Sequence, residues 1–192
     1  MSEITGLPLR RAKASTRLEI VLLIPLLTMS MMAPRQKTSP AYQVKAVFLF
    51  NFTQFVEWPA SAFPEAQAPL VIGILGTDPF GNYLDNTVEG EKINGRPITV
   101  QRYENVEQAK ACHILFVNVA QTNQLQKVLT GLKGHGILTV GENNGFIRQG
   151  GIVRFLEENN KIRLQINQEA AREADLTISS KLLRLAEIVS AK

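Results

Sequence analysis

The sequence has little of what metal and redox chemistry needs: one cysteine and two histidines in 192 residues. A lone Cys112 excludes an intramolecular disulfide framework and a cysteine-based zinc site. His113 and His135 leave little with which to build a metal centre, so neither a metal nor a cofactor is expected. The sequence contains no Gly-x-Ser-x-Gly nucleophile elbow, no His-x-x-x-His helix and no Gly-Lys-Ser/Thr phosphate loop. The extended apolar run, Ile20 to Met32, falls short of the roughly 20 residues that a spanning helix needs. What the chain does have is an apolar fraction of 45%, which suits a packed core and is too high for a disordered chain.

The formal charge of +4 first suggests nucleic acid, but its location points elsewhere. Arg10, Arg11, Lys13 and Arg17 precede the apolar run, which ends at Ala33-Pro34. A basic segment, a short apolar segment and a small residue before polar sequence predict a secretory signal peptide over residues 1–33. No cysteine follows the run, which excludes a lipoprotein anchor. The leader carries four basic residues against Glu3 and Glu19, so half of the charge excess goes with it. No dense basic stripe with interleaved aromatics remains, and no nucleic-acid partner is expected.

Residues 34–40 (PRQKTSP) read as a flexible lead-in to one domain over 41–192. Val44, Val47, Phe48, Phe52 and Phe55 fall at helical spacing, and Trp58-Pro59 ends that helix. Leu70–Leu75 reads as a strand buried on both faces. Asp78-Pro79 supplies a cap for a helix over 79–88, and Ile98–Tyr103 alternates as an edge strand does. A short helix near 104–111 leads to a buried strand at 113–117, and a helix over 121–132 follows with Leu125, Val128, Leu129 and Leu132 on one face. Ile137–Val140 is the next strand. Gly151–Leu156 and Lys161–Ile166 flank a four-residue turn as a hairpin. Asn167 caps a short helix, and Ser179 caps a last one whose packing stripe is Leu182, Leu185, Ala186 and Val189. The fold expected is a single-domain α/β protein: a mostly parallel sheet, helices on both faces and a C-terminal antiparallel hairpin.

Chemistry-bearing residues are sparse. Gly73, Gly76 and Gly81 match neither a dinucleotide nor a phosphate-loop spacing and read as turn glycines. Cys112 and His113 are adjacent on an extended segment, so they point to opposite faces and are poorly placed to pair. No catalytic residue emerges. Open α/β sheets bind ligands beyond the carboxyl ends of their strands, which would gather Thr77, Asp78, Asn118 and Glu142, with Gly76 and Gly141, into a crevice for a small molecule. The glycine-rich loop 141–151 contains Phe146 and Ile147, which either pin it to the core or present a contact patch. With Arg148 they form the candidate partner-binding residues.

The helix Ala41-Tyr-Gln-Val-Lys-Ala-Val-Phe-Leu-Phe-Asn-Phe-Thr-Gln-Phe-Val-Glu-Trp-Pro59 resembles the opening of YfiR-family periplasmic proteins. Gly145-Phe146 followed by Gly150-Gly151-Ile152 resembles the family too, as does Ile166-Asn167 with Ala170 or Ala171. The closing Leu176-x-Ile178-Ser179-Ser180-x-Leu182-Leu183-x-Leu185-Ala186 extends the likeness to about residues 41–189. The resemblance implies a small periplasmic α/β protein, often a homodimer, without enzymatic activity. It implies binding to the periplasmic sensor domain of an inner-membrane diguanylate cyclase, which is held inactive. An outer-membrane lipoprotein can sequester such a regulator, raising cyclic-di-GMP and biofilm formation. Some relatives carry cysteine pairs; the single Cys112 departs from them. A periplasmic small-molecule sensor is the alternative expectation.

Overall fold

A computed structural model describes residues 38–190; the expected signal peptide lies outside them. Helix α1 (Pro40–Phe55) runs into the short strand β1 (Val56–Glu57). The alternating segment is β2 (Leu70–Gly76), α2 (Asn82–Val88), β3 (Lys92–Ile93), β4 (Arg96–Tyr103), α3 (Val106–Ala109), β5 (Ile114–Asn118), α4 (Thr122–Leu132) and β6 (Leu138–Gly141). The hairpin β7 (Val153–Glu158) and β8 (Lys161–Ile166) follows, then α5 (Gln168–Glu173), β9 (Thr177–Ile178), α6 (Ser180–Leu183) and β10 (Ala186–Ile188).

Among the described residues, eight strands form one sheet in the order β10-β8-β7-β6-β5-β2-β4-β3. Pairing is parallel from β4 through β7, antiparallel within the β7–β8 hairpin and parallel again between β8 and β10. The remaining strands, β1 and β9, pair antiparallel as a small separate ribbon. The mostly parallel α/β sheet expected from the sequence is the fold observed.

Alternation along the strands sends side chains into two cores. Ile72, Ile74, Ile114, Phe116, Leu138 and Val140 pack with α1 and α2 on one face. Val71, Leu75, Leu115 and Val117 pack with α3, α4 and Phe146 on the other. The expected stripe of α4, Leu125, Val128, Leu129 and Leu132, is buried as a set. Asn105 and Asn167 cap α3 and α5 by accepting from Gln108 and Ala170.

Four local readings change. In α1 the buried residues are Lys45, Ala46, Leu49, Phe52 and Thr53, whereas Val44 and Val47 are 46% and 41% exposed. The helix therefore turns a different face inward from the one that its valines suggested. Helix α2 starts at Asn82, because Asp78 Oδ1 accepts from the amides of Phe80 and Gly81 and caps a preceding turn. The first hairpin strand starts at Val153 and runs on to Glu158, while the second keeps its expected bounds, so the turn tightens to Asn159 and Asn160, whose φ angles of 50° and 59° are those of a type I′ turn. Finally, Ser179 does cap a helix, but it is a single turn; Ala186–Ile188 continues as β10 on the edge of β8, and Leu185 is 68% exposed. Tertiary strand pairing overrides the helical spacing there.

Candidate functional site

The carboxyl ends of β2, β5 and β6 bring the expected crevice residues to one edge, and the fold has closed much of that edge with its own groups. The Thr77 amide donates to the Asn118 carbonyl at 3.1 Å, and Asn118 Nδ2 donates to the Thr77 carbonyl at 2.8 Å. These two bonds stitch the point where the crossovers diverge to opposite faces. Gly76 has φ +94°, and a Cβ there would collide with the Asn118 carbonyl, so its role is the close approach of these loops. Asp78 also pairs with Arg102 at 3.0 Å, and Arg102 donates to Asp85 at 2.6 Å. Hydrogen bonding to Arg102 holds the Asp85 carboxyl below its ordinary value, and the same bond raises the guanidinium.

Glu142, one residue past β6, takes part in a cluster that composition did not reveal. Lys45 Nζ lies 2.9 Å from Glu142 Oε1, and its side chain is only 6% exposed. The ammonium also sits 4.3 Å from the Tyr42 ring centroid, and the Tyr42 hydroxyl donates to Glu142 Oε2 at 3.2 Å. Burial first, and then the charge of Glu142, push the Tyr42 phenol above its ordinary value, so it stays a donor. The only hint in the sequence is a lysine placed between apolar helix positions; its partner lies 97 residues away.

The glycine-rich loop gives a clear answer. Phe146 is fully buried and Ile147 is 6% exposed. A Cβ on either Gly141 or Gly151 would run into the Phe146 ring; the loop is rich in glycine because that ring nests between them. Phe146 and Ile147 therefore pin the loop, and as partner-contact residues they are corrected: neither offers surface. Arg148 remains exposed. Arg154 supports the loop from below, donating to the Glu142 carbonyl and to Asn144 and Gln165.

Cys112 and His113 lie on the extended lead-in to β5 and turn to opposite sides, Cys112 into the core with α3 and α4 and His113 toward Phe63 and Trp58. Cys112 is 4% exposed, and burial pushes its thiol up to about 12. His113 Nδ1 accepts from the Val71 amide at 3.1 Å, which fixes the proton on Nε2, 3.1 Å from the Ala62 carbonyl. The imidazole stacks on Phe63 at 4.4 Å, and the Arg96 guanidinium lies 4.0 Å from the centroid of the same Phe63 ring.

Among the described residues, an exposed apolar surface lies on α1, and Leu185 and Ile188 are exposed as well. Val44 and Phe48 of α1 and Ile162 of β8 line an open groove of about 820 Å³, with Glu157 and Lys161 at its rim. Val47 continues the apolar stripe along the helix. Among the described residues, no group of three or more His, Cys, Asp and Glu side chains is arranged to hold a metal ion, and no helix is long and apolar enough to cross a membrane. Against known families, residues 42–187 match the family model described as YfiR/HmsC-like.

Proposed function

The chain belongs to the YfiR/HmsC-like family, a family of periplasmic regulators of diguanylate cyclases, and from that premise we propose that it is a non-catalytic periplasmic repressor of such a membrane enzyme. The exposed apolar face of α1 carries the reading of how it docks. A helix normally buries its apolar residues, yet Val44 and Val47 stand in solvent beside the half-buried Phe48 and a groove floored by Ile162. Contiguous exposed apolar surface rimmed by charge is what a protein interface presents before it is covered. The occupant is the periplasmic sensor domain of the cyclase. An outer-membrane lipoprotein would release the enzyme by competing for the regulator, and a homodimer is the expected assembly.

The test is binding of the exported chain to purified periplasmic domains of inner-membrane cyclases from the same cell. Val47→Glu places a charge in the stripe and should weaken binding at least tenfold. It should leave stability within about 0.5 kcal/mol, as ordinary surface substitutions do. Arg148→Glu, on the 147–149 turn packed with α4 on the other face of the sheet, tests the loop in parallel. Loss with Arg148→Glu alone would move the interface to that loop. No binding by the unaltered chain to any cyclase domain would defeat the proposal.

A further inference from the structure

Residues 58–69 join β1 to β2 as a strap, and none of them is fully buried. A segment with so little of itself in the core depends on its ties, and it can open while the core stays closed. His113 ties the first half. Its Nε2 lies 3.1 Å from the Ala62 carbonyl, its ring stacks on Phe63, and its carbonyl accepts from Trp58 Nε1 at 3.2 Å. Arg96 ties the second half, donating to the Glu65 and Ala68 carbonyls at 2.9 and 3.1 Å. The imidazole fits its place only when neutral. Nδ1 accepts from the Val71 amide at 3.1 Å, and an imidazolium has donors at both nitrogens. A proton on Nδ1 would therefore face the Val71 N–H donor to donor.

We propose that His113 is an acid-released latch on residues 58–64. Once Nδ1 carries a proton the ring must leave its place against Val71, and its bond to Ala62 and its stacking on Phe63 depend on that place. Residues 65–68 stay tied by Arg96, so the strap lifts from its first half and bares Trp58 and Phe63. The ring meets Trp58, Phe63 and the Ala62 carbonyl from the strap, the Val71 amide from β2 and, on the same Phe63 ring, the Arg96 guanidinium from β4. Cys112 turns to the other side, and its thiol, pushed up to about 12, stays uncharged. The acids nearest in the chain, Glu57 and Glu65, are exposed. Burial lowers the imidazole below its ordinary 6.5, the Ala62 carbonyl works against that, and Arg96 lowers it again. The latch is therefore shut at neutral pH and opens as the pH falls through the lowered value. It is independent of the regulatory reading, since it uses no residue of the exposed α1 face.

Trp58 is the chain's one tryptophan and stands edge-on to the imidazole with 6.2 Å between ring centroids, so its emission reads the latch. Lowering the pH of the exported chain from 7.5 to 4.5 should shift that emission to longer wavelength while the far-ultraviolet circular dichroism holds. The His113 imidazole resonances should titrate with the same midpoint, below 6.5. Protection from amide exchange should fall at Ala62 and Phe63 and hold at Ala68, whose amides all bond within the strap. His113→Gln, which cannot gain the proton, should keep the emission constant, and His135→Gln, on an exposed turn, should leave the titration as it is. No emission change down to pH 4.5, a change that accompanies loss of circular dichroism, or one that survives in His113→Gln would overturn the proposal. Different midpoints for Trp58 and His113 in the unaltered chain would overturn it too, and that comparison needs no variant to fold.

Discussion

Cys112 and His113 are neighbours in sequence that meet different environments, and each makes a testable consequence at the scale of one residue. The Cys112 thiol, buried and raised to about 12, should not react with a disulfide reagent at pH 8 until the chain is unfolded. Rapid labelling of the native protein would contradict its burial. His113 is held neutral, because burial lowers its folded-state value below the ordinary 6.5 and Nδ1 is committed as an acceptor. The groups around it are the rings of Phe63 and Trp58, the Ala62 carbonyl, the Val71 amide and the Arg96 guanidinium, none of them acidic. Its contribution to stability is therefore complete above about pH 6.5 and lost as pH falls through the lower folded-state value. Urea denaturation at pH 7.5 and pH 5.5 should show that loss, and His113→Gln should flatten it. Glu142 works by a different principle: removing it leaves the buried Lys45 ammonium with no counter-charge and only the Tyr42 ring beside it. Glu142→Ala should cost about 3 kcal/mol, and Lys45→Met in the same chain should recover part of it. A double variant whose cost equals the sum of the two single-variant costs would mean that the pair is not coupled.

At the scale of elements, the same features explain what could be read from the sequence and what could not. Strands β2 and β5 are continuous apolar runs buried on both faces, and such runs need no partner information to be recognised. Helix α4 has one apolar stripe and buries it. Helix α1 has apolar residues on several sides, so periodicity could not choose a face. The choice is made by Glu142, which draws Lys45 inward, and by Thr53, whose hydroxyl returns to the Phe50 carbonyl at 2.7 Å. Strand β10 shows the opposite problem: its residues keep a helical spacing, but the open edge of β8 pairs with them, and edge pairing leaves no local mark. The loop around Phe146 was legible as a pair of alternatives, and the two glycines against its ring decide between them. Gly151→Ala should destabilise the fold by about 1–3 kcal/mol through overpacking against that ring. A thermal scan that shows no loss would contradict the nested geometry.

The whole molecule divides its work between its faces. One sheet face is covered by α1, whose outer side remains apolar and uncovered. The carboxyl edge, where open α/β sheets usually bind ligands, is stitched by Thr77, Asn118 and the Asp78–Arg102–Asp85 network. The candidate crevice was thus legible as a place but not as a closed one, because its closing bonds join segments 41 residues apart. A fold that occupies its usual ligand edge and leaves a helix face open suits a protein that acts by contact. The most direct test of that account is the cyclic-di-GMP level of cells lacking this chain and of the same cells supplied with exported variants. The level should rise on deletion, return with the unaltered chain and stay high with Val47→Glu present in equal amount. An unchanged level on deletion, or full restoration by Val47→Glu, would contradict it.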